Sequence, residues 1–392
     1  MSRRWSSRRD WDESDVRVRP NKRGSRPRTK ETPEHPEAEL GRVVTVDRGR
    51  YTVRVNRTSA KLHAPDEHDE RVVTAVRAKA LRRSPVVPGD IVALVGDTSG
   101  EAGTLARLVR VQERSTLLRR SADDTDEAER VVVANADQLL IVVAAADPAP
   151  RTGFIDRALV ASFDAGIHPI LLITKADLAQ DPDDPVGLVS HYTELELTMV
   201  ISGQGAAGPA ASELDPAAVA RLHRLLAGHI TAMIGHSGVG KSTMVNALTG
   251  ADRATGGVNA VTGRGRHTSS SAVALTLGPS AELEPGATTD QDESTPHESW
   301  IIDTPGVRSF GLAHVDPDDV LSAFEDLVQG SAACEPGCTH AAPEGGCALD
   351  DWVQTGKAGT HGPARLGSLR GLLASLDGSA EEQENKRLGL SP

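Results

Sequence analysis

Between residue 40 and about residue 111 the chain is a series of short runs in which apolar and polar positions alternate. The segments 41–47 (GRVVTVD), 51–56 (YTVRVN), 72–81 (VVTAVRAKAL), 90–97 (DIVALVGD) and 103–111 (GTLARLVRV) are rich in Val and are separated by turn residues. Alternation at period two with β-branched residues predicts strands. Val-Pro-Gly-Asp at 87–90 predicts a tight turn feeding the strand 91–95. Five short strands in so compact a stretch predict a small all-β barrel resembling an oligonucleotide-binding (OB) fold. Beyond it the pattern changes. Residues 137–145 form one continuous apolar run, as a strand buried on both faces requires. Helical spacing follows at 154–165, a strand at 169–173, a helix at 215–226 and a strand at 230–234. Strands alternating with helices predict an α/β, parallel, doubly wound sheet. Further helices are expected at 316–328 and 364–376.

The strand 230–234 runs directly into Gly235-His236-Ser237-Gly238-Val239-Gly240-Lys241-Ser242, followed by Thr243 and a helical stretch at 242–248. This matches G-x-x-x-x-G-K-[ST] without a mismatch and in the strand–loop–helix setting that the motif needs. The glycines let backbone N–H groups turn toward phosphate oxygens, and the helix N-terminus adds partial positive charge. Lys241 would reach the β- and γ-phosphates, and the Ser242 hydroxyl would ligate Mg²⁺. Farther along the chain a second apolar strand, Trp300-Ile-Ile, ends in Asp303-Thr-Pro-Gly306. Asp303 would hold the Mg²⁺ through water, and the Gly306 amide would sense the γ-phosphate.

Thr174-Lys175-Ala176-Asp177 closes the strand 169–173 and resembles the guanine-reading N-K-x-D motif of GTPases. A carboxylate at Asp177 accepts two hydrogen bonds that guanine offers and adenine does not. The Lys175 stem would lie along the purine plane. Thr174 stands where that motif carries asparagine, which takes away an amide that ties loops together; Asp177 is expected to keep the guanine preference, at reduced affinity. Ile201-Ser202-Gly203 resembles the short loop that supports the base with backbone amides.

The order of these parts is rotated. The base loop and the short loop precede the phosphate loop, which precedes D-x-x-G. A chain can be cut and rejoined at surface loops without losing its sheet, and this order resembles the circularly permuted GTPases. A β-barrel in front and a Cys/His cluster behind make it similar to the ribosome small subunit-dependent GTPase A family, over about residues 40–375. Asn135-Ala-Asp137-Gln138, Ile155-Asp156-Arg157 and Asp303-Thr-Pro-Gly306-Val307-Arg308-Ser-Phe310-Gly311 carry the match. Gly263-Arg-Gly-Arg-His267-Thr268 resembles the family's switch segment. The resemblance implies that Thr268 closes on Mg²⁺ and the γ-phosphate. Val307 follows Gly306, where many GTPases have a water-orienting glutamine, so hydrolysis is expected to be slow until a partner or another residue completes the site. His267 is the candidate; a structural hydrogen bond is the other reading of that histidine.

Cys334, Cys338, His340 and Cys347 lie together in one short segment and are the expected ligands of one structural Zn²⁺. Three thiolates and an imidazole complete a tetrahedral set with no open position. The only three cysteines of the chain are in this cluster, which makes a poor disulfide framework and a better metal site, and a reducing, cytoplasmic compartment is expected. No apolar run approaches the roughly 18 residues that a membrane helix needs, so no span is expected.

Charge adds a partner. The net charge is −12, yet positions 1–120 hold 27 Lys and Arg against 17 Asp and Glu. A basic front on an acidic body predicts contact with a polyanion. The resemblance makes that the rRNA of the small ribosomal subunit, with GTP hydrolysis to GDP releasing the protein late in subunit maturation. Nothing in the sequence requires more than a monomer. Two other readings remain at this level: a P-loop ATPase or kinase acting on another substrate, and a nucleotide-regulated RNA-binding protein without catalysis. The expected organisation is a disordered basic arm (1–39), an OB-like barrel (40–115), a permuted P-loop GTPase domain (130–312, with an acidic disordered insertion at 279–298), a helical zinc-binding subdomain (313–376) and a flexible tail (377–392).

Overall fold

The computed structural model describes residues 35–55, 71–81, 84–121, 129–203, 214–250, 272–278, 299–304, 312, 315–341 and 346–376. The chain divides into two units, Met1–Pro36 and Glu37–Pro392, and all of the strands and helices named here belong to the second. All but the last residues of the expected arm, the 279–298 insertion, the 377–392 tail, His267, Thr268, Gly306 and Val307 lie outside the described residues.

The five alternating runs form β1 (Glu39–Asp47), β2 (Arg50–Val55), β3 (Arg71–Arg77), β4 (Ile91–Gly96) and β5 (Ala106–Val111). They pair in the order β1-β2-β3-β5-β4, and β4 returns to β1, so the barrel is closed. All contacts are antiparallel except β3 with β5. Period two places Val43, Tyr51, Val53, Val73, Ala75, Val92, Leu94 and Leu108 inside one core. Closure pairs the start of β1 with β4 and leaves only its far end, near Thr45, free to pair outside the barrel.

A hairpin of β6 (Leu117–Ser121) and β7 (Glu129–Ala134) follows, which the sequence pattern does not predict. The second half of the unit contains β8 (Gln138–Ala144), α1 (Thr152–Asp164), β9 (His168–Thr174), α2 (Leu188–Tyr192), β10 (Thr198–Ile201), α3 (Pro216–Leu226), β11 (Ile230–Ile234), α4 (Lys241–Thr249), β12 (Val273–Thr276) and β13 (Trp300–Asp303). The strands order as β10-β9-β8-β11-β13-β12; all are parallel except β12. Every residue of β8 is buried, as its unbroken apolar run requires. Leu139, Ile141 and Val143 pack on the α1 side, and Leu140, Val142 and Ala144 pack on the side of α3 and α4. Burying each Leu, Ile or Val contributes about 1.5–3 kcal/mol, so this central strand anchors both layers. The α3 start follows from its sequence: the Asp215 side chain accepts from the Ala217 amide at 3.0 Å, and Pro216 opens the first turn.

The helical end differs from expectation in one place. Residues 316–328 form two helices, α5 (Pro317–Leu321) and α6 (Glu325–Ser331), not one. The chain turns between them, leaving Phe324 in a non-helical conformation with its ring buried beneath the Arg365 guanidinium. Burial of that ring outweighs helical continuity. Then come α7 (Ala348–Gln354) and α8 (Gly362–Leu376), which packs on α1, α5 and α7.

Barrel and parallel sheet meet at a short seam. Thr45 of β1 pairs with Val273 of β12, which joins the two sheets edge to edge. The Arg54 guanidinium lies 4.9 Å from the Trp300 ring at the start of β13. The turn 87–90 supplies the rest. Asp90, fully buried, accepts from the Val87 amide at 2.8 Å and takes Arg114 at 2.6 and 2.9 Å. Gly89 donates to the Val43 carbonyl at 2.9 Å and accepts from Asn135 Nδ2 at 3.0 Å. Its φ is +91°, and a Cβ there would lie 2.0 Å from the Ala134 carbonyl oxygen and 3.2 Å from Ile302 Cδ1. Gly89→Ala is therefore expected to destabilise the protein by about 2–4 kcal/mol through strain and overpacking. Thermal unfolding checks this; a melting temperature equal to the parent's contradicts it.

Candidate active site at the carboxyl edge of the sheet

Parallel pairing brings the carboxyl ends of β8, β9, β10, β11 and β13 to one edge. Ile201 lies beside Ile173, Ile234 beside Ile141 and Asp303 beside Met233. Thr174, Lys175, Asp177, Ser202, Gly203, the loop 235–242 and Asp303 therefore gather there, although they are widely scattered along the chain. From β8 the chain moves outward through β9 to β10; it then returns to β11 on the other side of β8 and continues on that side, to β12 at the edge and back to β13. The phosphate loop thus lies at the point where the strand order reverses, the usual ligand crevice of an open α/β sheet.

The loop 235–240 leaves β11 and runs into Lys241, the first residue of α4. Gly235 has φ +152°, and a Cβ would sit 2.3 Å from the Val142 carbonyl oxygen. Only glycine allows β8 and the loop to approach this closely. Val239 is buried against the sheet, while Ser237, Gly238, Ser242 and Thr243 are exposed on the open side. Lys241 Nζ donates back to the carbonyls of Gly235 and His236, the latter at 2.7 Å. Burial holds its ammonium below the usual lysine range, opposed by the carboxylate of Asp303. The lysine therefore lies between the loop carbonyls and Asp303. The His236 ring lies 4.5 Å from that of Phe154 on α1.

Thr174 corrects one expectation. Its side chain is buried, and the hydroxyl donates to the Val239 carbonyl at 2.6 Å, with the Val143 carbonyl 3.1 Å away. The tie between base loop and phosphate loop is thus kept, by a hydroxyl in place of an amide. Lys175 follows with φ +55°, and its Nζ reaches the Asp147 carbonyl. The Ala176 amide donates to the Ser202 carbonyl at 3.2 Å, and Gly203 packs against the Asp177 amide and carboxylate. Asp177 is exposed at the mouth. Base loop and short loop thus form one wall. Sequence reasoning missed the contribution of the 147–150 segment, where Asp147 holds Lys175 and Pro148 borders Gly238. Its signal was available: it directly follows β8, as the other site loops follow their strands.

Three further residues behind the family resemblance prove to be scaffold. Asp137 accepts from the Ile230 amide at 2.9 Å. Gln138 binds Thr231 Oγ1 and the Leu225 carbonyl, each at 3.0 Å, and Asp156 accepts from the Tyr192 hydroxyl at 2.8 Å.

The Cys/His cluster assembles within the helical end. One donor atom from each of Cys334, Cys338, His340 and Cys347 lies within 4.8 Å of the others. His340 Nδ1 is 3.7 Å from Cys334 Sγ and 3.6 Å from Cys347 Sγ. Ligands bound to Zn²⁺ at about 2.0–2.3 Å in a tetrahedron stand roughly 3.5 Å apart, so the donor set fits that ion. Burial pushes the Cys347 thiol up to about 11; the Leu349 amide opposes this, and the Cys334 and Cys338 thiols reinforce it. A cation at the centre would reverse that effect by favouring thiolates.

Known proteins resemble this chain. The RsgA GTPase family model matches residues 111–313. The small ribosomal subunit biogenesis GTPase RsgA of Pseudomonas aeruginosa (strain LESB58) is 34% identical over 296 residues, covering 74% of this chain and 76% of its own. The crystal structure of YjeQ from Thermotoga maritima overlays with a TM-score of 0.52 at 21% identity, covering 87% of this chain and 99% of that one. The crystal structure of YloQ, a circularly permuted GTPase, overlays with a TM-score of 0.52 at 19% identity, covering 89% of this chain and 98% of that one. These two structures support the fold.

The Thr174 bond makes a specific expectation. Thr174→Val removes the hydroxyl at nearly constant volume and strands a buried carbonyl, a cost of about 1–3 kcal/mol. GDP affinity should fall about tenfold, and Thr174→Ser should retain most of it. Fluorescent-nucleotide titration reads both; equal affinity in the valine variant contradicts the role given to this bond.

Proposed function

The chain belongs to the RsgA GTPase family, and from that premise we propose that its GTP hydrolysis serves late maturation of the small ribosomal subunit, the protein leaving once GTP is cleaved. The observation that supports this best is the gathering of base loop, phosphate loop and Asp303 at one edge of a sheet that is joined to a closed barrel. Guanine would lie along the Lys175 stem, read by Asp177 and backed by Ser202 and Gly203. The 235–243 backbone would enclose the phosphates, and Lys241 would swing from its carbonyls to the β- and γ-oxygens. Ser242, Thr268 and Asp303 would hold Mg²⁺, which neutralises charge on the phosphates when bound. Gly306 would sense the γ-phosphate, and His267 would orient water where Val307 cannot. Cys334, Cys338, His340 and Cys347 would hold one structural Zn²⁺.

We place the domain limits at 1–39, 40–115, 130–312, 313–376 and 377–392. The partner is the small subunit and its rRNA, met by the basic front of a monomeric, cytoplasmic protein. No helix among the described residues is long and apolar enough to cross a membrane.

Steady-state hydrolysis of GTP and ATP, with and without small ribosomal subunits, tests this. The expected result is slow GTP turnover alone, strong stimulation by the subunit and little ATP turnover. Asp177→Ala should erase the difference between the nucleotides. No stimulation by the subunit, or ATP turnover equal to GTP, contradicts the proposal. Subunit binding should also fall steeply with salt, because phosphate contacts release counterions.

A further inference from the structure

Two side chains outside the Cys/His donor set close on His340. Asp318, in the first turn of α5, places Oδ1 2.9 Å from His340 Nε2. The other ring nitrogen, Nδ1, faces the sulfurs of Cys334 and Cys347. A neutral imidazole has one N–H and one lone pair. A carboxylate can only accept, so the proton belongs on Nε2 and the lone pair on Nδ1 points at the sulfurs. The ring is 2% exposed, so exchanging the two nitrogens would require it to turn within a packed setting. The backbone of His340 is held too. Arg370 of α8 donates from Nε to the His340 carbonyl at 3.3 Å, while its two terminal nitrogens grip Asp350 at 2.9 and 2.7 Å. His340 is thus fixed at its ring by α5 and at its carbonyl by α8.

We propose that Asp318 is a positioning residue of the metal site, which holds His340 as an Nδ1 ligand and ties α5 to the bound ion. The proposal rests on the Zn²⁺ reading of the cluster. Helix α5 packs on α1, the first helix of the parallel sheet, and on α8. Asp318 therefore links metal occupancy to the face by which the helical end sits on the sheet. Carboxylates hydrogen-bonded to metal-bound histidines generally orient the ring and strengthen it as a donor.

The test is the Zn²⁺ affinity of the full-length chain at one fixed pH, by competition with a chromophoric chelator, and the visible spectrum of the Co²⁺-loaded protein. Wild type should bind one Zn²⁺ per chain. Asp318→Ala should weaken binding by about 10- to 100-fold and shift the cobalt bands as the ring loses its orientation. Asp318→Asn, which keeps an acceptor without the charge, should fall between the two and stays informative should the alanine variant fold poorly. A residue that served α5 alone would lower the melting temperature of the metal-free protein and leave affinity and spectrum unchanged. That outcome, or variants within about twofold of wild type, overturns the proposal. A wild-type chain that takes up no Zn²⁺ sinks the metal reading itself, which keeps the two failures distinct.

Discussion

The parallel pairing of β9, β8, β11 and β13 is the constraint on which the site depends. In a parallel ladder every strand points the same way, so every following loop emerges at one edge. Neighbour relations in the sheet, not order along the chain, then decide which loops meet. This is why the base loop can come well before the phosphate loop and still be bonded to it through the Thr174 hydroxyl and the Val239 carbonyl. Backbone approach between β8 and the phosphate loop is close enough that Gly235 has no room for a Cβ. A single small residue thus sets how deeply the loop seats at the reversal point of the sheet.

The barrel is not an appendage on a flexible tether. β1 continues the sheet through its pairing with β12, Arg54 covers Trp300, and the turn at Gly89 and Asp90 fills the corner between β1, the end of β7 and β13. Trp300 and Asp303 are the two ends of the same short strand. Val273, through which β1 joins β12, is itself the register partner of Asp303, so the barrel meets the sheet near both ends of this strand. The helical end is attached to the sheet through α1 and through Arg365, which binds Asp326 at 2.9 Å and the Glu194 carbonyl at 2.6 Å.

Much of this was legible in the sequence, for a physical reason. Strands buried on both faces, such as β8, must be apolar throughout, and a barrel strand such as β2 must alternate; both patterns survive in the bare chain. The phosphate loop and the four metal donors are local in sequence, so their spacing is visible. What was not legible depends on distant partners. The β6–β7 hairpin carries Arg119, Arg120 and Arg130 among its apolar residues, which blurs the alternation. The break between α5 and α6 follows from where the Phe324 ring is buried, which no helical periodicity encodes. Thr174 looked like a loss because a motif compares side-chain types; the structure shows that a hydroxyl can reach the same kind of backbone acceptor. Asp318 is distant from His340 in sequence and reaches it only once α5 is folded.

Whether the rotated segments make one guanine site is the central question. Calorimetric titration of the full-length protein with GDP and with ADP measures this most directly, with Asp177→Ala titrated alongside. The predicted result is one GDP per chain, ADP weaker by about 100-fold or more, and loss of that difference in the variant. ADP bound as tightly as GDP, or GDP affinity unchanged without the Asp177 carboxylate, would contradict it.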